Sequence, residues 1–466
     1  MRHIQNTIAI VLCLTTSAAF GADWFEALKA KDDDRALYAV LAAMPKGADL
    51  HNHNSGSIYP EWWLANALAS EAQGYRYFTK VRINNCRPFD RRDDTYHLLF
   101  RNIDQLDYDG LDDCERGEFV ALSAMNDEQR AGWLSSIKLD HNGEGRDEFF
   151  QKHWQRLDAL LFNPYIREQN LALNLQSLAA EGAIYAEIMV GVMGAREADG
   201  APISPQRMID RFRDRLLQPD IVETGMTVRL QLTLLRFVDD AEDNLRNLYR
   251  LAAKNSDIIA AVNLVGREDN DKGHPRRFLS TLRELRQQYD VGLAIHAGEV
   301  DEPNDHVRDT LLLGASRIGH GLNLITDDEV MLLMRNGPYL VEINLISNLL
   351  LEYVVDYSQH PFPEYLRTDI PVALSTDDRG MWDSTLTDEF FVAVKEYNLS
   401  WREVKKLHVN SLTHAFVDED VKQRLIDRHT QQMQRFEARI QRDGLENPES
   451  LPDTRTFICA RYQLCD

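Results

Sequence analysis

The feature that most constrains this chain is a pattern seen four times: a short apolar run that breaks off at a histidine or a carboxylate. Val291-Gly-Leu-Ala-Ile-His-Ala-Gly-Glu299 is the clearest instance. Its aliphatic residues leave no polar face, as a parallel strand covered on both sides requires. His296 and Glu299 follow its carboxyl end, and Ala297 and Gly298 between them leave room for a ligand or metal to approach the backbone. Lys46-Gly-Ala-Asp-Leu-His-Asn-His53 ends in His-x-His, Arg317-Ile-Gly-His320 in one histidine, and Val372-Ala-Leu-Ser-Thr-Asp-Asp378 in paired carboxylates. Residues two apart in a strand face the same side, so His51 and His53 can both reach one ion. Three histidines and an aspartate suit zinc, with a position left open for water. A barrel of parallel strands gathers its strand ends on one rim, which is how clusters far apart in sequence can converge.

Strand-like runs at Ala183–Val190, Met226–Leu235, Ile258–Val265, Val291–His296, Arg317–His320, Tyr339–Asn344 and Val372–Thr376, with the one ending at His51, make eight. Helical patterns lie between them. The alternation predicts an α/β fold, a closed (β/α)8 TIM-type barrel, and the histidines and carboxylates at its strand ends make it one of the metal-dependent hydrolase kind. An open doubly wound sheet is the alternative, but it does not naturally join the first and last strands. Helices are expected at Asp23–Ala43, Tyr59–Ala72, Phe149–Phe162, Pro164–Glu181 and Pro205–Leu217. Past the eighth strand, Leu386–Tyr397, Trp401–Ala415 and Val417–Arg442 read as extra C-terminal helices packing outside. From Gly74 to about Asp140 the pattern is lost in a stretch rich in Asp and Arg that holds Cys86 and Cys114. It reads as a disulfide-bearing insertion after the first strand, because an irregular loop of that length is unusual in a compact domain.

Met1 to Gly21 reads as a secretory signal: Arg2 and His3, an apolar centre from Ile8 to Leu14, then small residues at Ser17-Ala-Ala-Phe-Gly21. Residues 22–466 then form one catalytic domain, secreted or periplasmic and free of the membrane after cleavage. The mature chain keeps Cys86, Cys114, Cys459 and Cys465. Four cysteines bound for an oxidising compartment allow three pairings, and the local ones, Cys86 with Cys114 and Cys459 with Cys465, are favoured over the others and over free thiols. The balance of 52 basic and 74 acidic residues, a net charge of -22, disfavours a nucleic acid or an anionic membrane as the main partner. It says little about a small neutral substrate.

A bound zinc lowers the pKa of water to about 7 and so supplies hydroxide at neutral pH. His51, His53, His296 and Asp377 are the candidate ligands. Glu299 sits close enough to handle a substrate proton, and His320 and Asp378 are placed to orient the hydroxide or accept its proton. Two-metal hydrolases on this barrel usually bridge their ions with a lysine or carboxylate after the fourth strand. Asn263-Leu-Val-Gly266 stands there, so one zinc per chain is expected. Each element alone has an ordinary explanation: paired histidines are frequent on surfaces, Asp-Asp after a strand is more often a turn or cap, and a lone histidine is more often a core residue. Their joint placement at strand ends, in the order a barrel needs, carries the metal-hydrolase reading.

At these residues the sequence resembles the adenosine deaminase family. Met44-Pro-Lys-Gly-Ala-Asp-Leu-His-Asn-His53, Leu264-Val-Gly-Arg-Glu268, His296-Ala-Gly-Glu299, Ile318-Gly-His-Gly321 and Ser375-Thr-Asp-Asp378 match its motifs in order. Tyr185-Ala-Glu187 and Val341-Glu-Ile-Asn-Leu-Ile-Ser-Asn348 look most like the extracellular branch, the adenosine deaminase-related growth factors, which also carries a disulfide-bearing insertion after the first strand. The resemblance implies that zinc-bound hydroxide attacks the purine carbon bearing the amino group while Glu299 protonates the neighbouring ring nitrogen. It implies that His320 positions and deprotonates the water, that Asp378 binds the purine's imidazole nitrogen, and that the Gly266 amide contacts the ring. Ammonia leaves and inosine results. Glu187 is counted with the substrate-binding residues. Base deaminases with cysteine ligands use another fold and a Pro-Cys-x-x-Cys motif, which this chain lacks.

The departures lie where the sugar should bind. Cytosolic members follow the second histidine with Leu-Asp-Gly, whose aspartate holds a ribose hydroxyl, and the extracellular branch has an aspartate one place earlier. This chain reads Asn54-Ser55-Gly56, so Asn54 or Ser55 would hold the hydroxyl with less charge assistance. The expected ligand is a purine nucleoside, adenosine or 2'-deoxyadenosine. Alternatives are another aminopurine, such as a 5'-modified adenosine, or a secreted binding or signalling protein that uses the barrel as a scaffold. AMP is disfavoured because a phosphate wants a basic pocket. The extracellular branch dimerises through an amino-terminal extension; here residues 22–43 precede Met44, and a homodimer stays open.

Overall fold

Eight parallel strands form one sheet in the order β1 (Lys46–His53), β5 (Ala183–Val190), β6 (Thr227–Leu235), β7 (Ile259–Val265), β8 (Gly292–Ala297), β9 (Arg317–His320), β10 (Leu340–Ile343) and β11 (Val372–Leu374). Between β1 and β5 the chain makes a second, antiparallel sheet in the order β3-β2-β4, from β2 (Tyr77–Lys80), β3 (Asn102–Asp104) and β4 (Phe119–Ala121). The computed structural model describes residues 24–87, 95–141, 143–268, 271–300, 302–444, 451 and 454–465. The proposed leader, 1–21, lies outside them. No helix among the described residues is long and apolar enough to cross a membrane.

The large sheet is covered on both sides, which is why its strands read as apolar runs: every residue of β5 is buried. The outer helices seal it with one apolar stripe each. In Ala241–Lys254 the stripe is Leu245, Leu248, Tyr249 and Ala252, the i, i+3, i+4, i+7 spacing of a helix face. The long helix Pro164–Ala180 starts where Asn163 accepts hydrogen bonds from the amides of Tyr165 and Ile166, with proline at the first helical position.

The barrel closes through the residues of greatest interest. A parallel bridge joins Asn52 to Asp377; the Asp377 amide donates to the His51 carbonyl at 2.8 Å, and the His53 amide to the Asp377 carbonyl at 3.2 Å. First and last strands therefore meet at the rim and nowhere lower in a named ladder. The pairing of β1 with β5 also slips by one residue between Asp49 and Asn52, a bulge beside His51 that re-aims the strand end.

The structure departs from the sequence reading in three places. The helix expected over Asp23–Ala43 is, within the described residues 24–43, two helices, because Asp32 takes a left-handed backbone (φ 53°) and Asp33 caps a new helix, Asp34–Ala43, by accepting from the Ala36 amide. The helix expected over Phe149–Phe162 is a π turn (Phe149–His153), one α turn (Trp154–Leu157) and a 3-10 stretch (Asp158–Phe162). The 74–140 insertion holds β structure that no periodicity betrayed, since its strands run only three or four residues. Disulfides join Cys86 to Cys114 and Cys459 to Cys465, the local pairing.

Candidate metal and active site

His51 and His53 come from the end of β1, His296 from β8, His320 from the last position of β9, and Asp377 and Asp378 from the turn after β11. The ligand-capable atoms of His51, His296, His320 and Asp377 lie within 4.8 Å of one another, as do those of His53, Asp377 and Asp378. Asp377 belongs to both groups: its Oδ1 is 3.4 Å from Nε2 of His51 and 3.4 Å from Nε2 of His53. Nε2 of His53 and of His296 are 3.1 Å apart. His320 and Asp377 hold left-handed backbones, φ 66° and 56°, a conformation that costs a non-glycine residue about 1–3 kcal/mol and persists where the surroundings impose it. Two glycines make the crowding possible. A Cβ at Gly319 would stand 2.6 Å from Cε1 of His51, and one at Gly56 would overlap the Asp378 carboxylate.

Beneath the rim the rings are wired to the barrel interior. Nδ1 of His51 donates to the Glu342 carboxylate at 2.8 Å, which leaves a lone pair on Nε2. Glu342 pairs with Arg317 at 2.7 Å, and Arg317 pairs with Glu187 at 2.8 Å while its guanidinium lies 4.0 Å from the centre of the Phe416 ring. His296 is fixed through a longer route. Gln231 must donate to the Leu50 carbonyl (3.1 Å), so its oxygen accepts from the Asn263 amide (2.9 Å), and the Asn263 oxygen accepts from Nδ1 of His296 (3.1 Å). A carbonyl only accepts, so the direction of this chain is set, and His296 too presents a lone pair at Nε2. Ser347 donates to Asp377 at 2.6 Å.

These residues fit a divalent cation. Nε2 of His51 is buried with no hydrogen-bond partner among the described residues, beside a carboxylate that offers it no proton. Burial opposes charge on His51, yet Asp377 and Glu342 outweigh it and pull the ring up to about 10, the mark of a site that favours positive charge. Burial likewise opposes charge on Asp377, but the hydrogen bond and charge of His51 hold it below the usual carboxylate range. The other two carboxyls go the opposite way. Glu299 is raised well above its ordinary value by burial and then by the charges of Asp377 and Glu268, and Asp378 is raised by burial and then by Asp377. One ionised carboxylate beside two that keep their protons is the separation acid–base chemistry uses.

Glu299 is buried, its Oε1 3.8 Å from Nε2 of His320, and its backbone amide donates to Glu268. Gly266 has φ 96°, where a Cβ would meet the Phe237 ring at 2.7 Å, so glycine alone suits the position. Asn54 is buried with its amide donating to the Arg167 carbonyl at 3.1 Å, and Ser55 is half-buried beside it. Glu187 needs correction. It does not line a substrate site but lies in the barrel floor, fully buried, accepting from the Tyr185 hydroxyl, Gln231 and the Phe416 amide while pairing with Arg317. Sequence reasoning passed over Glu342, Gln231 and Arg317. The available signal was a charge or amide inside an apolar strand, which is buried only when partnered.

A profile described as adenosine deaminase matches residues 150–432. The chain belongs to the adenosine deaminase family. An adenine deaminase of Chelativorans sp. (strain BNC1) is 27% identical over 277 residues, 58% of this chain and 78% of that protein. An adenosine deaminase of Clostridium perfringens (strain ATCC 13124) is 33% identical over 168 residues, 36% of this chain and 49% of that protein, so the chain spans about half of that relative. Among solved structures, Arabidopsis N6-mAMP deaminase superposes with a TM-score of 0.61 at 20% identity, covering 84% of this chain and 99% of that one. An amidohydrolase of Burkholderia ambifaria with bound Zn gives 0.60 at 19%, covering 86% and 95%. At such identities it is the barrel that is shared. The chain thus has the hydrolase fold of the deaminase family, with a His/Asp cluster able to hold a metal.

Proposed function

We propose that the protein is a zinc-dependent hydrolase that deaminates adenosine or 2'-deoxyadenosine to the corresponding inosine and ammonia, with one zinc per chain. The observation that carries it is the meeting of three imidazoles and the ionised Asp377 with two proton-bearing carboxyls, Glu299 and Asp378. His51, His53, His296 and Asp377 would hold the metal, which supplies a nucleophilic oxygen from water at neutral pH. Glu299, its proton retained by burial, gives that proton to the ring nitrogen beside the carbon under attack and makes the carbon electrophilic. Its backbone is steadied by Glu268. Asp378, held against Gly56, hydrogen-bonds the purine's five-membered ring, and the Gly266 amide meets its edge. The hydroxyl proton of the adduct then moves to the amine, which departs as ammonia.

A specific observation keeps a second aminopurine in view. No carboxylate stands at 54 or 55, and the Asn54 amide nitrogen is engaged by Arg167, which leaves its oxygen to meet a sugar hydroxyl. The relatives named above include a protein titled adenine deaminase and a structure titled N6-mAMP deaminase. A nucleotide fits less well here: the Arg167 guanidinium is committed to the carbonyls of Leu161, Gly191 and Met193. We also read the chain as exported, in the manner of the extracellular branch, from its leader-like 1–21 segment and two disulfides. Ammonia release and ultraviolet absorbance over adenine, adenosine, 2'-deoxyadenosine and AMP test the assignment. Turnover of a nucleoside above base and nucleotide is expected; AMP or adenine as the preferred substrate overturns it.

A further inference from the structure

His320 is wired in the opposite sense to His51 and His296. The Phe362 backbone amide donates to Nδ1 of His360 at 3.1 Å, and a backbone N–H cannot be turned round. Neutral His360 therefore carries its proton on Nε2 and gives it to the Asn348 oxygen at 3.1 Å. The same amide's nitrogen then donates to Nδ1 of His320 at 2.9 Å. Burial keeps His360 neutral, its ring lowered to about 3. His360 and Asn348 are themselves buried, so water does not relax the order of the chain. Asn344, whose amide nitrogen is satisfied by donating to the Ile343 and Ser375 carbonyls, turns its oxygen toward Nδ1 of His320 only at 3.5 Å, the outer limit of hydrogen bonding, and does not displace Asn348.

We infer that His360 and Asn348 are positioning residues that lock His320 as its Nε2–H tautomer, so that His320 holds the attacking oxygen by donating a hydrogen bond and does not take its proton. The inference rests on the deaminase reading of the site. Nε2 of His320 is buried, without a hydrogen-bond partner among the described residues, and faces the ligand cluster and Glu299. A ring that offers N–H there is no metal ligand, which separates His320 from His51 and His296 despite its nearness.

The test is nitrogen NMR of the full-length, metal-replete protein with 15N-labelled histidine rings, the His320 signals being those lost in His320→Gln. The expected pattern is a protonated Nε2 and an unprotonated Nδ1; the reverse overturns the inference. Asn348→Asp replaces the donor with an acceptor of the same shape. It should move the proton to Nδ1 and lower kcat about 100-fold with KM held, the loss typical of one removed transition-state donor. Unchanged ring signals, or an unchanged kcat after the proton has moved, contradict it. Should Asn348→Asp fail to fold, His360→Gln, which can still donate to Asn348, should keep the wild-type signals while His360→Leu disturbs them; identical signals in the two overturn the relay. If no aminopurine is turned over, the ring signals still report the tautomer, so the deaminase reading can fail alone.

Discussion

Glu342 shows how much of the site is set by residues that never reach a substrate. It sits in a strand with no exposed surface, and its carboxylate divides between Nδ1 of His51 and the Arg317 guanidinium. Burial opposes its charge, but Arg317 and His51 lower it below the usual carboxylate range, so it stays an acceptor and keeps the His51 proton on Nδ1. Glu342→Gln should leave the fold intact and weaken zinc affinity about 10–100-fold, measured by competition with a chelator. Glu299→Gln should keep the metal and lower kcat about 10²–10⁴-fold; near-normal turnover would remove Glu299 as proton donor. The residues that end strands were legible in the sequence because a histidine or aspartate after an apolar run is conspicuous. Glu342 and Gln231 were not, because a polar side chain inside a strand announces burial without naming its partner, and Asn348 was not, because it stands on the short helix Leu345–Leu350, where an asparagine gives no such signal. Glu187 was misread for the first of these reasons: its motif was visible, but the competing guanidinium of Arg317 lies far away in the chain.

At the scale of elements, the strands were legible to within a residue or two because each is covered on both faces. Irregular segments were not. Asp32 and Asp158 take positive φ, 53° and 27°, and each interrupts a stretch whose composition is helical. The β2–β3–β4 sheet is too short to show alternation, and it is tied down by the Cys86–Cys114 disulfide and the buried ion pair of Lys80 with Glu118. Closing a loop of that kind stabilises by about 3 kcal/mol, chiefly by restricting the unfolded chain. Replacing both cysteines by serine should therefore lower hydrogen-exchange protection in β2–β4 while β8 and β9 keep theirs. Equal loss in the barrel strands would show that insertion and barrel unfold as one unit.

For the whole molecule, the closed barrel was legible from eight strand ends that had to meet, and the Asn52–Asp377 bridge shows where they do. Folding also buries histidines away from the site. His153 has both ring nitrogens buried and no hydrogen-bond partner among the described residues, and burial, then Arg156, lowers it from 6.5 to about 3. Its folded pKa lies below its unfolded one, so between these values the unfolded chain binds the extra proton and the His153 contribution to stability is lost as the pH falls from about 6.5 toward 3. His153→Leu should thus be more stable than the wild type by a margin that widens with acid over that window in paired denaturant titrations; a constant margin would mean the ring is not held neutral. The central claim is that histidines and an aspartate from distant strands grip one metal on which aminopurine deamination depends. The most direct measurement is zinc content and ammonia release from adenosine on one preparation, before chelation, after it, and after zinc is returned, for wild type and His296→Ala. The expected result is one zinc per chain and activity that leaves and returns with it in the wild type, with neither in the variant. Ammonia release that survives loss of the metal, or a zinc-replete protein that releases none from any aminopurine, would contradict it.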